Sequence, residues 1–332
     1  MFIVNSYVLA VVLCFVTMIC WGSWGNTQKL AAKNWRYELF YWDYVIGILF
    51  FSVLMAYTFG SFGEGGRSFC MDIKQLSGVT FLSAIVGGVI FNASNILLSA
   101  SISLAGMSVA FPIGVGLALV MGVTINYFGQ PKGDANLLFI GVVLIMIAII
   151  VNGIASGRQQ KNGGTARKGI ILAVIAGVLM SFFYRFVAMS MDLNNFENPE
   201  VGKATPYTAF VIFAIGIFLS NFVFNTLAMK HPFVGLPVNY RSYLTAPLKV
   251  HSVGFLGGVV WGLGTILSYI AAGKAGAAIS YALGQGAPMI AALWGVFVWK
   301  EFKGADSISK ILLAVMFAFF VVGLGVIVIA GN

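Results

Sequence analysis

The sequence predicts an all-α polytopic membrane protein, and three observations carry the prediction. Of its 332 residues, 60% are hydrophobic and only 9% are charged, whereas a soluble domain has about 25% charged residues. The apolar runs are continuous rather than alternating, which favours helices over the strands of a membrane barrel. The two halves of the chain also repeat each other. Composition therefore excludes a soluble enzyme, and the high hydrophobicity excludes a disordered chain.

Ten apolar runs are long enough to span a membrane as helices, which requires about 20 residues each. They cover 5–27, 40–60, 77–101, 106–128, 136–155, 169–191, 206–229, 252–273, 276–299 and 309–330. Lys and Arg predict the topology, because they collect in cytoplasmic loops. With the amino terminus outside, thirteen of the 19 basic residues are cytoplasmic, five lie outside and one lies within a span. Both termini are therefore predicted outside, and lipid surrounds the bundle.

An internal repeat relates the two halves. Gly87–Gly106 matches Gly257–Gly276 at a constant offset of 170, with seven identical pairs. Five spans per half make the repeat inverted, because an odd number of spans reverses the second copy. We predict a first five-helix repeat over 1–155, a short cytoplasmic connector over 156–168 and a second repeat over 169–332. Inverted repeats are typical of secondary transporters, whose solute site lies where the halves meet.

Polar and aromatic residues that share helical faces are the candidate solute-binding residues, because polar groups in a membrane usually face the bundle interior. Amides and hydroxyls beside aromatic rings suit a small neutral polar solute. A hydrogen bond to a neighbouring helix is the alternative role for each polar group. Trp21 faces either the solute site or the lipid. The candidates are Trp24, Asn26, Gln28, Asn92, Asn95, Trp261, Thr265, Tyr281 and Gln285.

Two charged residues lie inside predicted spans. Asp43, about one turn into the second span, is the candidate for carrying a coupling proton. The alternative for Asp43 is an interfacial ion pair with Lys29, Lys33 or Arg36. Arg185, near the outer end of the sixth span, is either a hydrogen-bond donor to the solute or a side chain that extends to the interface.

No cofactor, metal or nucleic acid is expected. The three cysteines and two histidines lack metal-ligand spacing, and GGTARKG at 163–169 does not match a phosphate-binding loop. These absences disfavour an ATP-driven pump and an enzyme. The net charge of +9 is attributed to cytoplasmic loops rather than to nucleic-acid binding. No Asp or Glu lies at a span centre, which disfavours export of cationic drugs.

Several segments resemble one group of transporters. PYTAF (206–210), GFLGGVVWGLG (254–264) and AISYALGQGAPMIAALWGVFVWKEFKG (278–304) resemble the ureide permeases and the bacterial glucose/ribose porters. YWDY (41–44) and GVTINYF (122–128) resemble the ureide permeases in particular. Both groups belong to the drug/metabolite transporter (DMT) superfamily, so the resemblance implies the ten-helix DMT/EamA-like fold.

The resemblance also implies proton-coupled uptake of a small neutral nutrient, which is a sugar, a ureide or a nucleobase. Alternating access and a bacterial inner membrane are the expected mechanism and location. A metabolite exporter and a passive facilitator are the alternatives within the transporter class. A membrane sensor or scaffold that binds a solute without moving it is the alternative from another class. The sequence leaves open whether the protein is a monomer or a homodimer.

Overall fold

The computed structural model describes residues 1–31, 35–158 and 166–332. Within these ranges, ten helices are long and apolar enough to cross a membrane. The same ranges contain no named strand and a single isolated bridge, between Met191 and Ala204. The predicted fold class, an all-α polytopic membrane protein with ten spans, is therefore confirmed.

The ten spanning helices agree with the predicted spans to within a few residues at most ends. They are α1 (Tyr7–Ala31), α2 (Tyr37–Tyr57), α3 (Gly78–Ala105), α4 (Met107–Gly129), α5 (Ala135–Gly157), α6 (Ala166–Ser190), α7 (Pro206–Lys230), α8 (Leu248–Ala275), α9 (Ala277–Val298) and α10 (Ser307–Ala330). Two short helices, Phe69–Gln75 and Tyr240–Leu244, lie between spans.

The ninth span is not one regular helix. It consists of Ala277–Gly284, then Ala287–Leu293, and then a wider π-helical turn over Trp294–Val298. Pro288 lies in the first turn of the second segment, where its missing backbone N–H costs no helical hydrogen bond. The ninth span is therefore interrupted in its middle.

The backbone repeats at the same offset as the sequence. Gly106 ends α3 with φ 80° and ψ 155°, and Gly276 ends α8 with φ 83° and ψ 155°. Positive φ is readily available only to glycine, which explains the residue at both positions. Asp134 and Asp306 then cap α5 and α10, because each side chain accepts a backbone N–H from three residues ahead. The two halves therefore share their turns and caps.

Helix packing follows the same two-fold relation. Helix α3 packs on α6 as α8 packs on α1, and α2 packs on α8 as α7 packs on α3. Helices α5 and α10, which correspond to each other, pack together. Each of these helix contacts therefore has a counterpart at the position related by the repeat. The boundaries at 155 and 169 stay a prediction, and most of the connector between them lies outside the described residues.

Glycines bring the backbones of packed helices into contact at corresponding positions. A Cβ atom on Gly258 would lie 2.0 Å from the carbonyl oxygen of Tyr44, so α8 and α2 touch there. A Cβ atom on Gly88 would lie 2.2 Å from the carbonyl oxygen of Phe213, so α3 and α7 touch in the same way. Small residues allow such close approach between membrane helices. These two crossings set the positions of the helices that line the centre.

The crossings predict that Gly258→Ala and Gly88→Ala lower the Tm of the detergent-solubilised protein. Each added methyl group meets a backbone oxygen that cannot move aside cheaply, and overpacking costs about 1–3 kcal/mol. Gly153→Ala in α5 is the matched control, because no heavy atom lies within 4 Å of its Cβ position. Equal Tm values for Gly258→Ala and Gly153→Ala would contradict the proposed backbone contact.

Candidate functional site

A narrow cavity lies at the centre of the bundle, between the two halves. The space open to the centre of a water molecule is about 30 Å³, which is room for about two waters. Its lining residues are all buried in this conformation, with exposed fractions of 7% or less. Both halves contribute to its lining, which consists of Trp21, Trp24, Phe91, Asn95, Leu98, Phe111, Val115, Met180, Phe183, Trp261, Gln285 and Ala287.

Aromatic rings form most of the cavity wall, and Trp261 lies among them. Its ring centroid is 4.3 Å from that of Phe91, which is the residue at the corresponding position of the first half. The indole of Trp21 stacks on Trp261 with an interplanar angle of 11° and a centroid distance of 6.1 Å. Trp24 contacts Tyr44 at 4.9 Å. Flat rings of this kind bind the faces of flat or ring-shaped solutes.

A hydrogen bond from the eighth span orients Trp21. The indole Nε1 of Trp21 donates to Oγ1 of Thr265 at 3.1 Å, and that hydroxyl donates to the carbonyl oxygen of Trp261 at 3.0 Å. Thr265 is fully buried, and through this hydrogen bond it holds Trp21 in the cavity wall. The structure thus places Trp21 in the wall, where sequence reasoning preferred Trp24 alone. Trp21 and Trp24 are three residues apart on α1, and this helical spacing was the sequence signal that both face the cavity.

Two amide side chains supply the polar part of the cavity. Nδ2 of Asn95 donates to the hydroxyl of Tyr41 at 3.2 Å. Gln285 lies across the cavity on the interrupted ninth span and is 4% exposed. Asp, Glu, Lys and Arg are absent from the described lining. The cavity therefore suits a neutral solute that both donates and accepts hydrogen bonds.

Three other candidates lie away from this cavity. Asn92 donates from Nδ2 to Oγ of Ser220 on α7 at 2.9 Å, so it joins two helices. Oδ1 of Asn26 accepts the indole N–H of Trp299 at 2.6 Å, which joins α1 to the end of the ninth span. Gln28 is buried, and its Oε1 has no partner among the described residues.

Tyr281 closes the cavity toward the end of the bundle that contains the amino terminus. Its hydroxyl donates to the carbonyl oxygen of Ala118 on α4 at 3.2 Å, and its ring contacts Phe183 with centroids 6.1 Å apart. A Cβ atom on Gly122 would lie 2.4 Å from the Tyr281 ring, so α4 leaves space for it. Tyr281 therefore separates the cavity from that end rather than lining it.

A second cavity lies toward the opposite end, which contains Lys29. It has about 30 Å³ of space open to water centres, and Asn26, Lys29, Trp299 and Glu301 are among its lining residues. Phe111 lines both this cavity and the central one. Lys29 and Glu301 form an ion pair across it, from α1 to the loop after the ninth span.

Asp43 lies in a cluster of polar and aromatic side chains where α2 meets the beginning of α8. Its Oδ1 accepts the hydroxyl of Tyr243 at 2.6 Å and lies 2.8 Å from Nδ1 of His251. Its Oδ2 accepts the indole N–H of Trp35 at 3.3 Å. Gly254 permits this approach, because a Cβ atom there would lie 2.6 Å from Cβ of Asp43. The carboxylate is 3% exposed, and Tyr243 and His251 are the titratable groups that contact it.

The structure does not contain the ion pair of Asp43 with Lys29 or Arg36. Lys29 pairs with Glu301 and Arg36 pairs with Glu38 at 2.6 Å, while Asp43 faces α8. Lys33 lies outside the described residues, so its pair with Asp43 stays a prediction. Sequence reasoning did not assign a role to His251, and no local signal indicated one, since it lies 208 residues away from Asp43.

Tyr243 acts as a hydrogen-bond donor in this cluster. It lies in the short helix Tyr240–Leu244 outside the spans. Burial raises the pKa of its hydroxyl, and the neighbouring carboxylate of Asp43 raises it further. The phenol therefore stays protonated at neutral pH and donates to Asp43.

Arg185 lies in neither of these groups. It lines a third and larger cavity, of about 410 Å³, at the end of the bundle that contains the amino terminus. Arg185 lies outside the described lining of the central cavity, which includes Asn95 and Gln285, although all three were candidates for one site.

Comparison with known proteins identifies a family. A model of the ureide permease family matches residues 40–166 and 158–330. Ureide permease 1 of Arabidopsis thaliana is 23% identical, over 98% of this chain and 98% of its own. Ureide permease 2 of the same plant is 24% identical with the same coverage. The glucose uptake protein GlcU of Bacillus subtilis (strain 168) is 23% identical, over 71% of this chain and 75% of its own.

A solved structure shares the fold. A protein crystal structure superposes with a TM-score of 0.61 over 98% of this chain and 99% of its own, at 16% identity. At this identity the likeness concerns the helix arrangement alone. The arrangement of ten helices is therefore one that an experimental structure also contains.

The contact between Trp21 and Thr265 leads to a prediction about the cavity wall. Thr265→Val removes the acceptor of the Trp21 indole N–H, and an unpaired buried donor costs about 1–3 kcal/mol. We expect a lower Tm and a weaker near-ultraviolet circular dichroism signal from the stacked indoles. Thr265→Ser is the control, since it keeps the hydroxyl. Unchanged spectra in Thr265→Val would contradict the role assigned to Thr265.

Proposed function

The chain belongs to the ureide permease family and is a membrane transporter rather than an enzyme, and from this premise we propose that it moves a small neutral ureide-type solute by alternating access, driven by protons. The observation that carries the proposal is the central cavity. Both halves build it, and its lining residues are buried. A solute therefore reaches it only when side chains or helices move.

The cavity wall favours a flat solute with amide groups. Phe91, Trp24 and Trp261 present ring faces, while Asn95 and Gln285 present amides. A ureide carries N–H donors and C=O acceptors around a small frame, and these match an amide side chain directly. A sugar presents hydroxyls in several directions and requires more polar partners than two amides. Ureides and related heterocycles are therefore the first choice, and sugars are the second.

Proton coupling is proposed at the cluster of Asp43, Tyr243 and His251. Asp43 is joined to the cavity through its own helix, because the next residue, Tyr44, contacts Trp24 in the wall. An ionised carboxylate in apolar surroundings requires hydrogen-bonding partners, whereas a protonated carboxylic acid requires fewer of them. Movement of α8 against α2 changes the distance between His251 and Asp43. Proton binding and helix movement are thereby linked.

Uptake into liposomes tests this function. Purified protein should accumulate radiolabelled allantoin, and an inward proton gradient should accelerate uptake. Radiolabelled glucose forms the second arm. An uptake rate that does not depend on the proton gradient would indicate a facilitator. Solute binding without counterflow would indicate a sensor. An absence of transport for all solutes tested, under every gradient, would contradict the proposal.

Two variants separate coupling from solute binding. Asp43→Asn should abolish gradient-driven accumulation and preserve counterflow exchange of allantoin, because only proton exchange is lost. Asn95→Ala should reduce both activities about tenfold or more, because a hydrogen bond to the solute is lost. Asn92→Ala is the matched control, since its amide bonds Ser220 outside the cavity. Normal accumulation by Asp43→Asn would eliminate Asp43 as the coupling group.

We also infer a bacterial inner membrane, with both termini outside, from the distribution of basic residues and the short loops. Cys70 offers a direct test, because it is exposed between α2 and α3, while Cys14 and Cys20 are buried. A membrane-impermeant maleimide should label Cys70 in intact spheroplasts, and Cys70→Ser is the control. Labelling that requires permeabilised membranes would reverse the proposed topology.

A further inference from the structure

The third cavity, at the end of the bundle that contains the amino terminus, has features of a binding site. We call it the outer cavity. Its volume is about 410 Å³, which is large enough for a small solute. It lies among the ends of α3, α4 and α6 and the loop that follows α6. Its polar lining residues include Thr80, Gln130, Arg185, Asp192, Glu200 and Lys203.

Arg185 brings an unpaired charge to this cavity. Its guanidinium lies against the end of α4, where a Cβ atom on Gly129 would be 2.1 Å from Cζ of Arg185. It has no ion pair or hydrogen bond to any described residue. Two other basic groups at this end are paired: Arg67 donates to Asp72 at 2.8 Å, and Lys203 donates to the carbonyl oxygen of Met189 at 2.9 Å. The donors of Arg185 are therefore free to bind a ligand.

Gln130 adds an unpaired acceptor on the same cavity. Its Nε2 donates to Oδ1 of Asn194 at 3.0 Å, which orients the amide. Its Oε1 is buried and has no hydrogen-bond partner among the described residues. Arg185 therefore supplies free donors, and Gln130 supplies a free, oriented acceptor. A molecule that carries both C=O and N–H groups is complementary to this pair.

The carboxylates in the lining disfavour an anionic ligand. Asp192 and Glu200 both line the cavity, and they offset the positive charges of Arg185 and Lys203. Asp192 is engaged, because its Oδ2 accepts the backbone N–H of Glu200 at 3.0 Å. A phosphate or carboxylate group would meet these negative charges. A neutral solute with amide groups would not.

Helix α6 connects the outer cavity to the central one. Met180 and Phe183 line the central cavity, whereas Arg185 and Met189 line the outer one. Met180 and Met189 are nine residues apart, which corresponds to about 13 Å along a helix. Tyr281 contacts two helices that line these cavities, because its hydroxyl donates to the carbonyl oxygen of Ala118 on α4 and its ring contacts Phe183 on α6. A path along these helices from one cavity to the other would pass Tyr281.

We propose that the outer cavity is a second solute-binding site, in which Arg185 donates to the carbonyl oxygens of a neutral amide- or ureide-type solute and Gln130 accepts its N–H groups. This inference rests on the proposed function for its solute class. Solute binds here first and passes Tyr281 into the central cavity. The site acts on entry from this side of the membrane only.

Binding stoichiometry and one-sided kinetics test the inference. Equilibrium dialysis of purified wild-type protein with radiolabelled allantoin should give two binding sites, and Arg185→Met and Gln130→Ala should each give one. Arg185→Met should raise the KM for uptake into intact cells about tenfold, because a charged hydrogen bond is lost. The KM measured from the opposite face, in inverted vesicles, should be unchanged. Lys74→Met is the matched control, since it removes an exposed charge at the same end.

The outcomes distinguish this inference from the proposed function. Transport by the wild type with a single binding site would overturn the outer site and leave the function intact. An absence of both transport and binding would overturn both. Two sites in Arg185→Met, or equal changes in KM from both faces, would also overturn the inference. Arg185→Lys retains the charge and should recover part of the affinity, and Tm values for all variants exclude misfolding as the cause.

Discussion

Backbone contact at two glycine crossings is the constraint on which the rest of the structure depends. Gly258 brings α8 against α2, and Gly88 brings α3 against α7. Trp261 and Phe91 each follow their glycine by three residues, so both face the same centre. They occupy corresponding positions in the two halves, and their rings meet at 4.3 Å. The two-fold axis that relates the two halves thus passes through the aromatic wall of the cavity.

The halves have diverged where the cavity requires different chemistry. Asn95 and Thr265 correspond at the offset of 170, but Asn95 lines the cavity while Thr265 supports Trp21 from behind. One half thereby supplies an amide, and the other supplies a fixed indole. An apolar bilayer offers no water to unpaired polar groups, so several amides in the spans bond a neighbouring helix. Asn92 donates to Ser220 on α7, and Asn225 donates to the carbonyl oxygen of Glu38 on α2.

The fold could be predicted from the sequence to a large extent, because span length, charge distribution and the internal repeat are local or periodic signals. The same signals place a residue on a helical face without saying which helix it meets. Asn92 and Asn95 share a face of α3, yet Ser220 on α7 binds the amide of Asn92. The partner of Asp43 is more distant still, since His251 approaches only after α8 packs on α2. Arg185 likewise required the fold to show that it lies outside the described lining of the central cavity.

Chemical protection tests most directly whether solute binds in the cavity between the halves. Leu98→Cys, in the cavity lining, would be introduced after replacement of Cys14, Cys20 and Cys70, and its alkylation by N-ethylmaleimide would be timed in membranes. We expect allantoin to slow alkylation at concentrations that saturate transport, because the solute covers position 98. An alkylation rate that saturating allantoin leaves unchanged would contradict binding in this cavity.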